Sequence, residues 1–141
     1  MPKTYQSTIV NAPADQIWSR IRDFHDFSWA PNVITRCERV GEKSGLEIGA
    51  KRVLNDAFHE TLIELNEDNK RIRYTIDKGP SPISSNDVSN YIGNLHILPV
   101  TDSNTSFVEW SSSWESETDE AVEVCQNIYV ALLKDLPQSY Q

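Results

Sequence analysis

One Pro-led helical stretch interrupts a chain that is otherwise a succession of strand-like runs. It reads Ala12-Pro13-Ala14-Asp15-Gln16-Ile17-Trp18-Ser19-Arg20-Ile21-Arg22-Asp23-Phe24 and runs on to Trp29-Ala30-Pro31. A short alternating segment, Thr4–Asn11, precedes it, and a second helical stretch closes the chain. Strands in sequence, one helix inserted after the first and another at the end, predict a curved sheet holding a helix over an interior space. A small apolar ligand in that space is the leading expectation.

Pro13 suits a first helical turn, where its missing N–H costs nothing. Ile17, Trp18, Ile21 and Phe24 recur at helical spacing through about Arg22. Phe27, Trp29 and Pro31 end the region, because Pro31 biases Ala30 away from helix. Strands are expected at Val33–Val40, Ala50–Asn55, Phe58–Leu65, Arg71–Asp77, Val88–Leu98 and Ser106–Glu115. A polar loop, Gly79–Asn90, separates two of them and is either a lid on the interior or a plain long connection. The closing helix spans about Asp119–Leu136, with Ser116 or Thr118 as its cap and acids near its positive end. Its stripe is Ala121, Cys125, Ile128, Tyr129, Leu132 and Leu136.

Hairpin register decides which side chains share a face, since opposed residues step in opposite directions and alternate sides. A turn centred on Asp56 sets Arg52 opposite Glu60 and Ala50 opposite Leu62. A turn near Asp68 sets Glu60 opposite Ile76, Leu62 opposite Tyr74 and Glu64 opposite Ile72. The last hairpin pairs Tyr91 with Trp114, Leu95 with Trp110 and Ile97 with Val108. One face therefore collects Arg52, Glu60, Leu62, Tyr74, Ile76, Tyr91, Leu95, Val108, Trp110, Ser112 and Trp114. The other carries Thr61, Arg71, Arg73, Thr75, Asp77, His96, Glu109, Ser111 and Ser113 and is largely polar.

Arg52 and Glu60 are the anomaly on the apolar face. They are either a polar anchor for a ligand's head group or a partly wet cross-strand ion pair near the sheet edge. The second is the ordinary expectation, and such a pair is worth under about 1 kcal/mol.

With 21 acidic against 13 basic residues, the chain carries a net charge of -8, which argues against nucleic acid as a partner. Lys51-Arg52 and Lys70-Arg71-Ile72-Arg73 lie in strands whose alternate residues face opposite sides, so neither forms a continuous basic stripe. No run approaches the roughly 18 apolar residues of a membrane span, and Met1–Gln6 lacks the apolar stretch of a secretory signal. The expected location is the cytoplasm, with Cys37 and Cys125 as free thiols. No integral membrane association is expected, and a homodimer is left open.

Motifs for chemistry are absent: no H-E-x-x-H, phosphate-binding loop, dinucleotide fingerprint or G-x-S-x-G. No cofactor and no metal are expected. His59 and His96 fall on the polar face, and His25 reads as a surface or capping histidine. If the protein is an enzyme, Glu60 acts as base with Arg52 polarising a carbonyl, and Tyr74 or Tyr91 donates a proton.

The stretch Ile9–Trp18, Asp23-Phe24, Trp29-Ala30-Pro31, Gly49–Arg52, Glu60–Leu62, Arg71–Ile76 and Val108–Trp110 resembles the polyketide cyclase/dehydrase group of the START/Bet v 1-like (SRPBCC) superfamily. The resemblance implies an α+β helix-grip fold over 1–141. A seven-stranded antiparallel sheet would curve around a long C-terminal helix, with two short helices after the first strand. It also implies a cavity for a lipid, polyketide or similar molecule. The expected lining is Trp29, Arg52, Glu60, Leu62, Tyr74, Ile76, Tyr91, Leu95, Trp110, Ser112, Trp114, Cys125, Ile128, Tyr129 and Leu132. The resemblance leaves open a cyclase or dehydratase and, separately, a protein-interaction module.

Overall fold

The computed structural model describes residues 2–140; Met1 and Gln141, the ends of the expected domain, lie outside them. The elements run β1 (Lys3–Val10), α1 (Ala14–Ile21), β2 (Cys37–Val40), β3 (Lys51–Leu54), β4 (Phe58–Asn66), β5 (Arg71–Lys78), β6 (Ser89–Val100), β7 (Thr105–Glu115) and α2 (Glu120–Gln138). The strands form one antiparallel sheet in the order β1-β7-β6-β5-β4-β3-β2. Every neighbour except β1–β7 is a hairpin partner, so β1 crosses to the far side and α1 fills the crossing.

Strict alternation drives the sheet to bury one face. Along β7 the buried positions are Ser106, Val108, Trp110, Ser112 and Trp114, while the residues between them are only half-covered. α2 lies against that buried face, bringing Cys125, Tyr129, Leu132 and Leu136 into the same core. α1 contributes Ala14, Ile17, Trp18 and Ile21, a full apolar stripe on an eight-residue helix. Its C-terminal end is pinned by Glu67 in the β4–β5 turn. That carboxylate accepts the Trp18 indole N–H at 2.8 Å and Arg22 Nη2 at 2.6 Å.

Most of the expected register is present. Arg52 faces Glu60, Glu60 faces Ile76, Leu62 faces Tyr74, Leu95 faces Trp110 and Ile97 faces Val108. Ala50 lies just outside β3, and its carbonyl accepts the Leu62 N–H at 2.8 Å. Tyr91 and Trp114 flank an irregularity between Ser89 and Ile92, yet their rings stack at 5.4 Å.

Four expectations are corrected. Glu64 opposes Arg73 rather than Ile72, because a bulge between Leu62 and Glu64 shifts the ladder by one residue. A single short helix follows β1, not two. Beyond α1 the described residues run through turns, in which Phe24 N–H bonds the Gly45 carbonyl and Ala30 N–H bonds that of Phe27. β2 begins at Cys37 instead of Val33. Asn55 Oδ1 accepts the Thr35 and Arg36 N–H groups, and Asn55 Nδ2 donates to the Val33 carbonyl, which holds that segment out of the sheet. The α2 cap position is Asp119, without a side-chain cap bond; Ser116 Oγ turns instead to the Thr118 carbonyl, and Thr118, one residue before the cap, accepts the Glu120 N–H on Oγ1 at 3.4 Å.

Candidate functional site

Between the buried face of the sheet and α2 lies a cavity of about 100 Å³. Its floor is polar and fully interior: Arg52 from β3, Glu60 from β4, Tyr74 from β5, Tyr91 from β6, Trp110 from β7 and Tyr129 from α2. Its rim is apolar and half-buried, with Val33, Ile34, Phe58, Ile76 and Ile128 around the exposed Asn55.

Arg52 and Glu60 are 6 % and 5 % exposed, so the expectation of a partly wet pair at the sheet edge is overturned. Arg52 Nε and Nη2 both meet Glu60 Oε1, at 2.8 and 2.7 Å, and Nη1 donates to the Phe24 carbonyl at 3.0 Å. The guanidinium lies over the Phe24 ring at 3.8 Å, with the Phe27 ring at 4.8 Å. The segment after α1 thus roofs the pair and shuts water out, replacing hydration by a carboxylate, a carbonyl and π faces. Burial pushes the Glu60 carboxyl above the ordinary carboxylate range, and the Arg52 charge opposes that rise.

Beside this pair runs a chain of hydroxyls. The Trp110 indole N–H donates to Tyr74 Oη at 3.0 Å. Tyr74 Oη lies 2.8 Å from Tyr129 Oη, Tyr129 bonds Tyr91, and the Tyr91 hydroxyl donates to Cys125 Sγ at 3.7 Å. Burial raises all three phenols well above their usual range and raises the Cys125 thiol, so the chain is neutral at physiological pH. With Tyr91 donating to sulfur, the single proton on each phenol runs in one direction, Tyr74 to Tyr129 to Tyr91.

Of the expected lining residues, the cavity gathers Arg52, Glu60, Tyr74, Ile76, Tyr91 and Trp110 from the sheet, and Cys125, Ile128, Tyr129 and Leu132 from α2. Five are buried nearby without lining it. Trp29 stacks on Phe27 at 4.6 Å and, with Leu95, borders a separate crevice of about 10 Å³. Leu62 is core, Ser112 bonds Thr4 Oγ1 at 2.7 Å, and Trp114 lies behind Tyr91 with its indole nitrogen unpartnered. Reading the sequence missed Phe27, Val33, Ile34, Leu54, Asn55, Phe58 and Ile83. Ile83 had a signal, being with Val88 one of two branched apolar residues inside the polar loop after β5; Asn55 had none beyond its place in a turn.

His25 lies away from this cavity, with Nε2 2.9 Å from the Lys51 carbonyl oxygen. Among the described residues no group of three or more His, Cys, Asp or Glu side chains is arranged to hold a metal. No helix among them is long and apolar enough to cross a membrane.

The family described as polyketide cyclase/dehydrase and lipid transport matches residues 1–139. No functionally curated protein matches the chain. Among solved structures, a Nitrosospira multiformis protein is 53 % identical over 99 % of this chain and 97 % of its own, with a TM-score of 0.97. XoxI of Bacillus cereus is 27 % identical over 99 % and 96 %, at 0.81. The ginseng major latex-like protein 151 of Panax ginseng, 13 % identical over 99 % and 97 % at 0.78, shares the fold. A sheet order, a closing helix and a family match that runs nearly end to end converge: this chain belongs to the polyketide cyclase/dehydrase and lipid transport family, on a Bet v 1-like fold.

Proposed function

We propose that the protein binds a hydrophobic small molecule in the cavity between the sheet and α2. The observation that carries this reading is the gradient within the cavity. A buried polar floor of Arg52, Glu60 and the tyrosine chain opens to a half-exposed apolar rim, the arrangement by which small-molecule pockets orient an apolar ligand. Cys37 and Cys125 are unpaired, in keeping with work in a reducing, cytoplasmic setting. Trp110 lines the cavity, so titration with apolar ligands is expected to change tryptophan emission, and native mass spectrometry is expected to find a co-purified guest. Unchanged emission, together with a bare mass, overturns the reading.

A second reading, acid/base catalysis of a cyclisation or dehydration, is favoured by one observation. Glu60 is a buried carboxyl with a raised pKa, paired with Arg52, whose guanidinium lies 5.5 Å from the centre of the Tyr74 ring. Once a substrate is identified, Glu60→Gln is expected to abolish turnover while binding persists. Turnover that survives the substitution removes Glu60 as the base.

A further inference from the structure

We infer that the ligand is a small monocyclic alcohol or phenol, and that chain lipids are excluded from the cavity as it stands; the inference rests on the binding reading above. Size is the first argument. About 100 Å³ is two-thirds of the roughly 150 Å³ that encloses a benzene ring, so a single ring enters only with part of it left in the rim, and it is well below the roughly 300 Å³ at which pockets for larger ligands begin. One ring with its edge in the half-exposed rim fills the space; an acyl chain or a fused polycycle would leave most of its apolar surface outside it.

The head group follows from counting unused hydrogen-bonding valences. The three phenolic protons are consumed inside the chain that ends at Cys125. Glu60 receives both Arg52 contacts on Oε1, and Oε2 has no hydrogen-bond partner among the described residues. Arg52 has five N–H donors, and its named contacts use one each on Nε, Nη1 and Nη2. The floor therefore presents an acceptor next to spare donors. A carboxylate head is repelled by Glu60, an ammonium head by Arg52, and a carbonyl leaves Oε2 unpaired. A hydroxyl satisfies both, donating to Oε2 and accepting from Arg52. Tyr74, Trp110 and Tyr129 pack on one another at 5.0 to 6.5 Å and line the cavity as an aromatic wall, against which a ligand's ring can stack or meet edge-on.

The test compares three probes on the intact protein by calorimetry and NMR: p-cresol, toluene and laurate. The expected result is that p-cresol binds, with intermolecular NOEs from its ring to Ile76 and Tyr129. Toluene is expected to bind at least about five-fold more weakly, and laurate not to compete. Glu60→Gln is expected to weaken p-cresol about five-fold and to leave toluene unchanged. Laurate binding without p-cresol overturns this inference while the binding reading stands. Equal affinity for p-cresol and toluene overturns the hydroxyl assignment. Silence from all three, with no NOE to the lining, overturns both. Should Glu60→Gln fail to fold, the NOEs and the p-cresol to toluene ratio in the unsubstituted protein decide the matter.

Discussion

Arg52 and Glu60 face each other across the β3–β4 hairpin, Nε to Oε1 at 2.8 Å, with both side chains closed off from solvent by Phe24 and Phe27. Removing one partner leaves an uncompensated charge in the interior, so Arg52→Met is expected to lose about 3–5 kcal/mol of unfolding free energy. Replacing both, as Arg52→Met with Glu60→Leu, is expected to restore most of that loss, because the desolvation cost disappears along with the attraction. Chemical denaturation of Arg52→Met, Glu60→Leu and the double checks this. If the double loses as much as the sum of the singles, the two side chains are uncoupled and the prediction fails.

Glu67 is the acid whose ionisation ties α1 to the β4–β5 turn. Hydrogen bonds from Arg22 and then from Trp18 lower its pKa from 4.5 to about 2. A depressed carboxyl contributes stability that is present above its unfolded value and lost as pH falls through the folded one, here between about 4.5 and 2. Because Glu67 is about half exposed, the contribution is at most about 1 kcal/mol after screening. Glu67→Gln is expected to flatten the fall in stability over that window. The Trp18 indole N–H resonance of the unsubstituted protein is expected to titrate with a midpoint near 2; a midpoint near 4.5 denies the tie.

How much of this was legible beforehand depended on how local each constraint is. Turns at Asp56 and Asp68 and the alternation along β6 and β7 set Arg52 on Glu60 and Leu95 on Trp110, because hairpin register needs only a turn and a period of two. The bulge beside Ile63 leaves no mark in the hydrophobic pattern, so turn arithmetic alone puts Glu64 one position off. The burial of Arg52 was hidden for a different reason. It depends on Phe24 and Phe27, some 25 residues earlier in the chain, folding over the guanidinium. Asp135 lies three residues beyond Leu132, beside the apolar stripe of α2, and only the fold shows that it is buried and in need of a partner.

That partner is Asn32. Asp135 Oδ2 accepts the Asn32 backbone N–H and Oδ1 accepts its side-chain amide, each at 2.8 Å. Val33 and Ile34, the next two residues, form part of the cavity rim, so this carboxylate ties the rim to α2. Asp135→Ala is expected to cost about 1–3 kcal/mol, since it strands a backbone donor. It is also expected to speed hydrogen exchange at Asn32 and dissociation of any cavity ligand, with Asp135→Asn milder on each measure. Unchanged exchange at Asn32 in Asp135→Ala contradicts the tie.

Tyr74 keeps its place in the hydroxyl chain because Gly93, opposite it on β6, has no side chain. A Cβ on Gly93 would lie 2.1 Å from Tyr74 Cζ and 2.5 Å from Tyr74 Oη, separations no packing tolerates. The ring cannot retreat, since Trp110 meets it edge-on at 6.5 Å and Phe24 lies at 6.3 Å. Gly93→Ala is therefore expected to swing Tyr74 off its site, break the bonds to Tyr129 and Trp110, and cost about 1–3 kcal/mol or more as an overpacked core. Pairing it with Tyr74→Leu is expected to recover stability without restoring the chain, because the shorter side chain clears the new methyl but has no hydroxyl. Thermal denaturation reads the first effect, and the Trp110 indole N–H resonance reads the second. If Gly93→Ala leaves that resonance unmoved, Tyr74 is not held by the space above Gly93.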